Sequence, residues 1–543
     1  MRLPCTVLQM KQTILIRNIR RELDASDEAF VSVCRKRWGV PKEEPMQLRI
    51  VRQAIDARKK SDVCFVVHAE VTAERKLIRR LLQDRKLKAE LLEPEEETPV
   101  VPGSEPMRGR VIVVGLGPGG LFAAWQLAKN GYQPLVIERG QPIEQRIRDV
   151  ETYWNGGALN PESNVAFGEG GAGTFSDGKL TTRIKDRRIG DVLAQLIACG
   201  APEEIAYLAK PHIGTDRLRT VVGTMRREIE SLGGEVRFGT CLCGIHSEDG
   251  ELRSVTLNGA GKTETVPCCA LILAIGQGAR DTFRMLHASG VAMAPKAFAV
   301  GVRAEHPQIL INQSQFGAFA SHPRLGAAEY RLTGSSGARG VYTFCMCPGG
   351  RVVASASGKG QIVVNGMSDF ARDGENANAA VVVQVGPEDF GTGALDGMLF
   401  QERLEADAFR VGGGTAPACT VGDYLRQRGS TSFGSVRPSY RPGVAPANLW
   451  DCLPEFVAQG VRDGLVSFGT QLKGYDLPDA VLTAVESRTS SPLRILRGED
   501  RQSVSCKNLY PVGEGAGYAG GIVSAAVDGW HAAEAVIRRF SNR

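Results

Sequence analysis

No apolar run in this sequence is long enough to cross a bilayer. The longest at a strand position is Cys268 to Ile275, whereas a spanning helix needs roughly 20 such residues. The first residues, MRLPCTVLQMKQTIL, lack the apolar core and small-residue cleavage site of a secretory signal. No C-x-x-C pair occurs, and the 13 cysteines, an odd number, are scattered through 543 residues. That usage fits a reducing cytoplasm better than a disulfide framework, and it argues against a structural zinc or cluster site. The seven histidines form no ligand-spaced group, so no metal is expected. Residues 283–500 lack a second G-x-G-x-x-G, and no separate NAD(P)H fingerprint is visible.

What is present is ordinary in bulk and uneven in detail. Hydrophobic residues make up 43% and charged residues 23%, the balance of a soluble protein large enough for two to four domains. The 64 glycines cluster at 115–120, 168–178, 412–414 and 513–521, a pattern of ligand-hugging loops. Residues 1–90 hold 21 Lys and Arg against 12 Asp and Glu, a balance of +9 within a total of +6. Such a basic end is a solvated face or a surface for an acidic partner such as nucleic acid.

The chain is organised around VIVVGLGPGGLFAAWQLAKNGYQPLVIER, Val111 to Arg139. Val111 to Val114 read as a buried strand. Gly115, Gly117 and Gly120 form the glycine-rich turn, and Leu121, Ala124, Leu127 and Ala128 form a helical stripe. Asn130 and Gly131 stop that helix. A second strand, Pro134 to Ile137, ends at Glu138. Gly115 permits the tight turn, Gly117 clears space for a pyrophosphate, and Gly120 lets helix and strand approach. The helix N-terminus faces the phosphates. Glu138 can accept ribose hydroxyls and would repel a 2′-phosphate.

The rest of the chain arranges itself about this unit. Residues 1–92 read as a small α/β domain, with strands at Thr13–Ile16, Gln47–Ile55 and Val63–Val71 and helices at Asp27–Trp38, capped by Ser26, and Glu74–Leu82. Residues 93–107, acidic and proline-rich, read as a linker. The dinucleotide domain runs over 108–282. It includes the glycine-rich loop Phe167–Leu180, helices at Asp191–Leu208 and Leu218–Leu232, a β-meander, and a strand at Ala270–Gly276. Residues 283–500, with many short strand patterns, read as an inserted mixed β-rich domain. Residues 501–543 return to the first fold: Leu509–Val512 ends at Gly513-Glu514-Gly515, and Gly520 and Gly521 open a helix containing Ile522, Ala525 and Ala526.

Gly115, Gly117 and Gly120 with Glu138, then Ala274-Ile275-Gly276, then Gly513-Glu514-Gly515 recur in that order in FAD-containing proteins of the glutathione-reductase type. The pieces GEGGAGTFSDGKL, FCMCPGG, NGMS, ESRTSSP and GEGAGYAGGIVSAA resemble an uncharacterised FAD-dependent dehydrogenase family, mostly bacterial, with a small N-terminal domain. The resemblance covers nearly the whole chain. It implies an α/β fold: a discontinuous Rossmann-like FAD-binding domain, an inserted β-rich α+β domain and the small N-terminal domain. It implies FAD held noncovalently, with Gly115, Gly117 and Gly120 at the pyrophosphate, Glu138 at the adenosine ribose, Gly276 under the cofactor and Glu514 facing the ribityl chain. Relatives of the wider class often have Asp where this chain has Glu514. Arg139, Gly171, Gly173, Lys179, Gly513, Gly521 and Ile522 complete the expected cofactor set. No substrate comes with the resemblance.

A flavin does its own redox chemistry, so the protein need supply only orientation, electrostatics and a proton donor. The catalytic candidates are Cys345 and Cys347 in Phe-Cys-Met-Cys, whose side chains share one face if the strand is regular, and Lys179 with Asp177 as charge partners. Glu486, Arg488 and Ser490 form a polar run suited to substrate or to solvent. The expected function is a cytoplasmic FAD-dependent oxidoreductase, a dehydrogenase of a small molecule, with NAD(P)H as a transient reductant. The alternatives are a flavoprotein that binds or modifies RNA through its basic N-terminal domain, and a non-catalytic FAD-dependent sensor or scaffold.

Overall fold

The computed structural model describes residues 11–93 and 99–542. Residues 94–98 of the expected linker and the first ten residues lie outside them. The chain divides into a smaller unit and a larger one. The smaller takes the described part of Met1–Pro99 together with Glu203–Pro211 and Gln315–Gly326. Its strands are β1 (Lys11–Arg21), β2 (Met46–Asp56), β3 (Cys64–Glu74) and β4 (Glu90–Leu92), with helices Asp27–Arg37 and Arg75–Gln83 after β1 and β3. The sheet order is β2-β3-β1-β4, antiparallel throughout, the split βαβ arrangement of ferredoxin-like folds. Burial alternates along β3, with Val67, Ala69 and Val71 fully buried, as a sheet packed on one face requires. Ser26 caps the first helix by accepting the N–H of Ala29 at 3.1 Å.

Two later segments join this unit through specific backbone bonds. Gln53 exchanges hydrogen bonds with Tyr207 and Ala209. Arg324 donates to the carbonyls of Leu23 and Ala25 at 2.6 and 2.8 Å. The N-terminal domain is therefore not a single run of sequence. The helix expected over Asp191–Leu208 is shorter for the same reason. It spans Arg188–Ala198 and stops at Gly200, whose φ of +103° no helix accommodates.

The larger unit holds the other strands. The first are β5 (Arg110–Val114), β6 (Leu135–Ile137), β7 (Glu235–Arg237), β8 (Thr240–Glu248), β9 (Glu251–Gly259) and β10 (Lys262–Leu273). Then come β11 (Met293–Pro295), β12 (Phe298–Pro307), β13 (Thr333–Ser336), β14 (Arg339–Cys347), β15 (Arg351–Ala354), β16 (Val364–Met367) and β17 (Asn376–Val385). The last are β18 (Ala416–Thr420), β19 (Val444–Pro446), β20 (Val481–Glu486), β21 (Leu493–Ile495) and β22 (Leu509–Pro511).

One sheet runs β7-β6-β5-β10-β9-β8, with β22 also paired to β10. The pairs β7-β6, β6-β5, β5-β10 and β10-β22 are parallel. Strand β10 does double duty. Its exposed first half pairs antiparallel with β9, and its apolar second half, Cys268 to Leu273, lies between β5 and β22. The strand order reverses direction at β5 and β10, where open α/β sheets place their ligands. A second sheet runs β13-β14-β17-β12-β20-β18-β19, antiparallel except between β18 and β19. It falls in the same unit as the first, so residues 283–500 do not form a separate compact body. Leu271, Leu273, Leu493, Ile495 and Leu509 share one buried cluster, which ties the far end of the second region to the first sheet. Among the described residues no helix is long and apolar enough to cross a membrane.

Candidate functional site

A cavity of about 440 Å³ opens where β5, β10 and β22 end; Gly115, Ala274 and Gly513 all line it. Gly115 leaves β5 with φ +95° and gives its N–H to Ile137 at 2.8 Å, a turn that favours glycine. The helix Pro118–Lys129 starts at Gly117, and no side chain caps it. Its first N–H groups are left for a ligand, and the positive end of its dipole faces the cavity. A Cβ on Gly171 would lie 2.9 Å from the Cα of Gly117, so glycine at 171 keeps this passage open. Gly120 does not line the cavity. A Cβ there would overlap the Gly115 carbonyl, so this glycine serves helix–strand packing.

Glu138 is 4% exposed and accepts the N–H groups of Leu116, Gly140 and Gly168, each at 2.9 Å. It pins the turn and the glycine-rich loop to the end of β6 while still lining the cavity. Arg139 is clasped by Glu162 and Asp281 at 2.9 and 2.8 Å and lies over the Phe167 ring. The loop itself is ordered by Arg146, which is fully buried. Its guanidinium donates to the carbonyls of Asn164, Val165, Gly168, Glu169 and Gly171. Burial pushes Arg146 down to about 10, against the pull of Glu138 and Glu169.

Beyond the loop, Asp177 is 1% exposed and is held by Arg372 at 2.9 and 2.5 Å and by the Lys179 ammonium. Burial would raise its carboxyl, but Lys179 and Arg372 outweigh that and hold it below the usual range. Lys179 also donates to the Met346 carbonyl, which brings it to β14. Glu486 and Arg488, read from sequence as suited to substrate or to solvent, line the cavity and are buried in ion pairs. Arg303 donates to Glu486 at 2.9 Å, both being nearly inaccessible, and burial raises the Glu486 carboxyl despite that partner. Arg488 and Arg280 both grip Glu405. Burial would raise Glu405, yet the two guanidiniums hold it at about 2.

The end of β22 closes the cavity. The helix Ile522–Arg539 begins at Gly521, again with no side-chain cap, so a second helix N-terminus faces the same space. Burial raises Glu514 to about 7, with Lys296 opposing. Its carboxylate accepts Gln277 Nε2 at 2.9 Å, and Gln277 also donates to the Arg488 carbonyl. The other side-chain atom of Gln277, Oε1, is buried without a partner.

Of the residues singled out from sequence, Gly115, Gly117, Glu138, Arg139, Gly171, Gly173, Lys179, Gly276, Gly513, Glu514, Gly521, Ile522 and Cys345 all line the cavity. Cys347 does not, and the assumption that both cysteines share one strand face fails. A bulge falls between Phe344 and Cys347, and Cys345 takes φ +44°. Cys345 thus reaches the cavity while Cys347 is fully buried. Sequence reasoning missed Gln277, Arg303 and Arg372, and it gave no role to Phe344 and Asn365 within FCMCPGG and NGMS. Arg303 on β12 and Phe344 on β14 are positioned by long-range strand pairing, Asn365 by β16, and Gln277 by the end of β10.

These features fit FAD. Two uncapped helix N-termini and a glycine passage suit a pyrophosphate and an electron-rich ring, and the orphaned Gln277 Oε1 offers an acceptor to a donor on the ligand. Residues 297–489 match the family model "FAD-dependent protein, C-terminal domain-like". Residues 11–72 match a domain of unknown function (DUF8436). An uncharacterized protein of Clostridium beijerinckii is 49% identical over 534 residues, which is 97% of this chain and 99% of that one. A digeranylgeranylglycerophospholipid reductase of Methanocaldococcus jannaschii is 35% identical over 91 residues, 16% of this chain and 23% of that one. A geranylgeranyl bacteriochlorophyll reductase-like structure from Thermoplasma acidophilum is 13% identical, covers 80% of this chain and 78% of its own, and has a TM-score of 0.35. The chain belongs to the family of the C. beijerinckii protein, carries the C-terminal domain of FAD-dependent proteins, and takes FAD as its cofactor.

Proposed function

We propose that the protein is an FAD-dependent oxidoreductase, a dehydrogenase that moves an electron pair between a small organic molecule and the flavin. The observation that carries this reading is a cavity which joins two uncapped helix N-termini to Lys179 of the glycine-rich loop and to Cys345 and Glu486 of the second sheet. Bound FAD supplies the two-electron redox centre.

The chain's own residues do the rest. The Pro118–Lys129 helix and Gly171 would receive the pyrophosphate, and Glu138 the adenosine ribose. The N-terminus of the Ile522–Arg539 helix offers N–H groups to developing negative charge. Glu514, near the midpoint of its titration at neutral pH, holds or releases a proton beside Gln277. Lys179 presents an ammonium fixed by Asp177. Arg303 and Arg488, locked on Glu486 and Glu405, keep the far wall rigid, so the substrate meets fixed charges. With no separate NAD(P)H domain motif in residues 283–500, NAD(P)H would bind transiently at the same cavity.

The test is anaerobic mixing of the FAD-loaded protein with NADH, NADPH and panels of small alcohols, amines, acids and alkenes. Bleaching of the oxidised flavin band by one of these is the expected result. A flavin that dithionite reduces and no member of any panel reduces would overturn the reading.

A further inference from the structure

Cys345 and Cys347 lie on one strand yet in different surroundings. Cys345 is a non-glycine residue in the left-handed region, a conformation that costs free energy and persists where surrounding structure enforces it, most often at functional sites. Here the enforcement is visible. Arg303 Nη1 donates to the Cys345 carbonyl at 3.2 Å, and the Lys179 ammonium donates to the carbonyl of Met346, between the two cysteines. The result is a sulfur turned into the FAD cavity.

Cys347 is fixed directly behind it. Its S–H donates to the Cys345 carbonyl oxygen at 3.3 Å, which ties the second sulfur to the backbone of the first cysteine. Glycines make room for it: a Cβ on Gly366 would lie 2.9 Å from the Cys347 sulfur, and one on Gly350 would lie 3.2 Å from its Cβ. Five charged groups surround the pair: Lys179 and Arg303 on the positive side, and Asp177, Glu486 and Glu514 on the negative. Asp177 and Glu486 are each held in ion pairs. The neighbouring Cys347 and the two cations draw the Cys345 thiol down, against burial, while Cys345 and burial raise Cys347.

We propose that Cys345 and Cys347 are a redox pair that exchanges two electrons with the FAD bound in the same cavity. This rests on the oxidoreductase reading and names the first electron partner within the chain. In the oxidising direction the Cys345 thiolate and the Cys347 thiol form one S–S bond. The Cys347 proton leaves, and the electron pair passes to the oxidised flavin, a two-electron acceptor. The reverse step breaks the S–S bond, with the electron pair returning and one proton restored to Cys347. A cavity-lining cysteine beside two cations, with a second sulfur fixed against its own backbone, is the arrangement such exchange needs.

The experiment uses the full-length FAD-loaded protein, its Cys345→Ser variant and its Cys347→Ala variant, the last because serine in a fully buried site risks the fold. Each is oxidised with diamide and then titrated anaerobically with dithionite. In parallel, each is alkylated under denaturing conditions after diamide and mapped by peptide mass. The wild type should take up twice the reducing equivalents per bound FAD that either variant does, and both cysteines should resist alkylation until reduced. Equal uptake in all three proteins, with both cysteines freely alkylated after diamide, would overturn the proposal. A disulfide that maps to the pair but adds no equivalents to the flavin titration would overturn it as well, because the pair would then not communicate with FAD. Failure of the oxidoreductase reading looks different: the pair and the flavin still exchange electrons, but no small molecule bleaches the flavin.

Discussion

The chain contains the spacing C-x-C twice, and the two copies behave in opposite ways. Cys241 and Cys243 lie on β8, and Cys345 and Cys347 on β14. In both, the second sulfur approaches the first cysteine's carbonyl oxygen, at 3.7 and 3.3 Å. In both, the first cysteine lines the FAD cavity and has an arginine nearby, Arg139 or Arg303. Yet burial pushes Cys241 up to about 12, while Cys345, beside Cys347 and two cations, is drawn down to about 5. The difference lies in the groups around each first sulfur. Cys241 gives its S–H to the Glu162 carboxylate at 3.6 Å, which favours the thiol. Cys345 faces the Lys179 ammonium and the Arg303 guanidinium, which favour the thiolate. The spacing is the same in both, and the partners decide what the sulfurs can do.

The largest effect expected is on the arginines that accompany the two pairs. Arg303→Met strips the partner from Glu486 in a site where both are nearly inaccessible, and should cost about 3–5 kcal/mol of stability in urea unfolding. Arg139 contacts carboxylates that are half or more exposed, so Arg139→Met should cost only about 1 kcal/mol or less. Similar losses for the two would erase the contrast.

The second effect is alkylation. A thiol titrating below its ordinary range carries its thiolate at pH values where an ordinary cysteine is protonated; one titrating above that range does not. With iodoacetamide at pH 6 on the folded, FAD-free chain, Cys345 should react at least about a hundredfold faster than Cys241. Its rate should fall only as the pH drops through about 5. A Cys345 rate that first rises above pH 8 would remove the thiolate. Third, Lys179→Met takes away one of the two cations and, by making the thiol about tenfold less acidic, should slow Cys345 about fivefold at pH 5, with partial recovery in Lys179→Arg and no change at Cys241. The smallest effect is at the other pair. Glu162→Gln removes the carboxylate that holds the Cys241 proton and should speed Cys241 alkylation at pH 8 about two- to threefold, leaving Cys345 untouched. An equal response at Cys345 would show that the two sulfurs are not electrostatically separate.

Much of the cofactor end was legible because its signals are local. A strand, a glycine turn and an uncapped helix lie within Val111 to Lys129, and each glycine's duty follows from the short range of backbone geometry. The helix after Gly521 was legible for the same reason. The split βαβ order of β1 to β4 was not, since β4 has only three residues and pairs with β1 from far along the chain. Nor was the capture of Glu203–Pro211 and Gln315–Gly326 by the smaller unit, which depends on Gln53 and Arg324 finding distant carbonyls. Glu486 and Arg488 suited substrate or solvent equally, because a polar, serine-rich run looks the same in either setting. Their partners, Arg303 and Glu405, lie 183 and 83 residues away.

The sequence alone determined the strand, the glycine turn at Gly115 to Gly120 and the uncapped helix start after it, because tight turns, close backbone approach and helix dipoles are properties of neighbouring residues. Only the tertiary structure decided which side chains share a cavity with that turn. The bulge at Cys345, the burial of Cys347 and the placement of Lys179 against Met346 arise from strand pairing and charge compensation between distant segments, where a one-residue slip reverses which side chain faces the cavity.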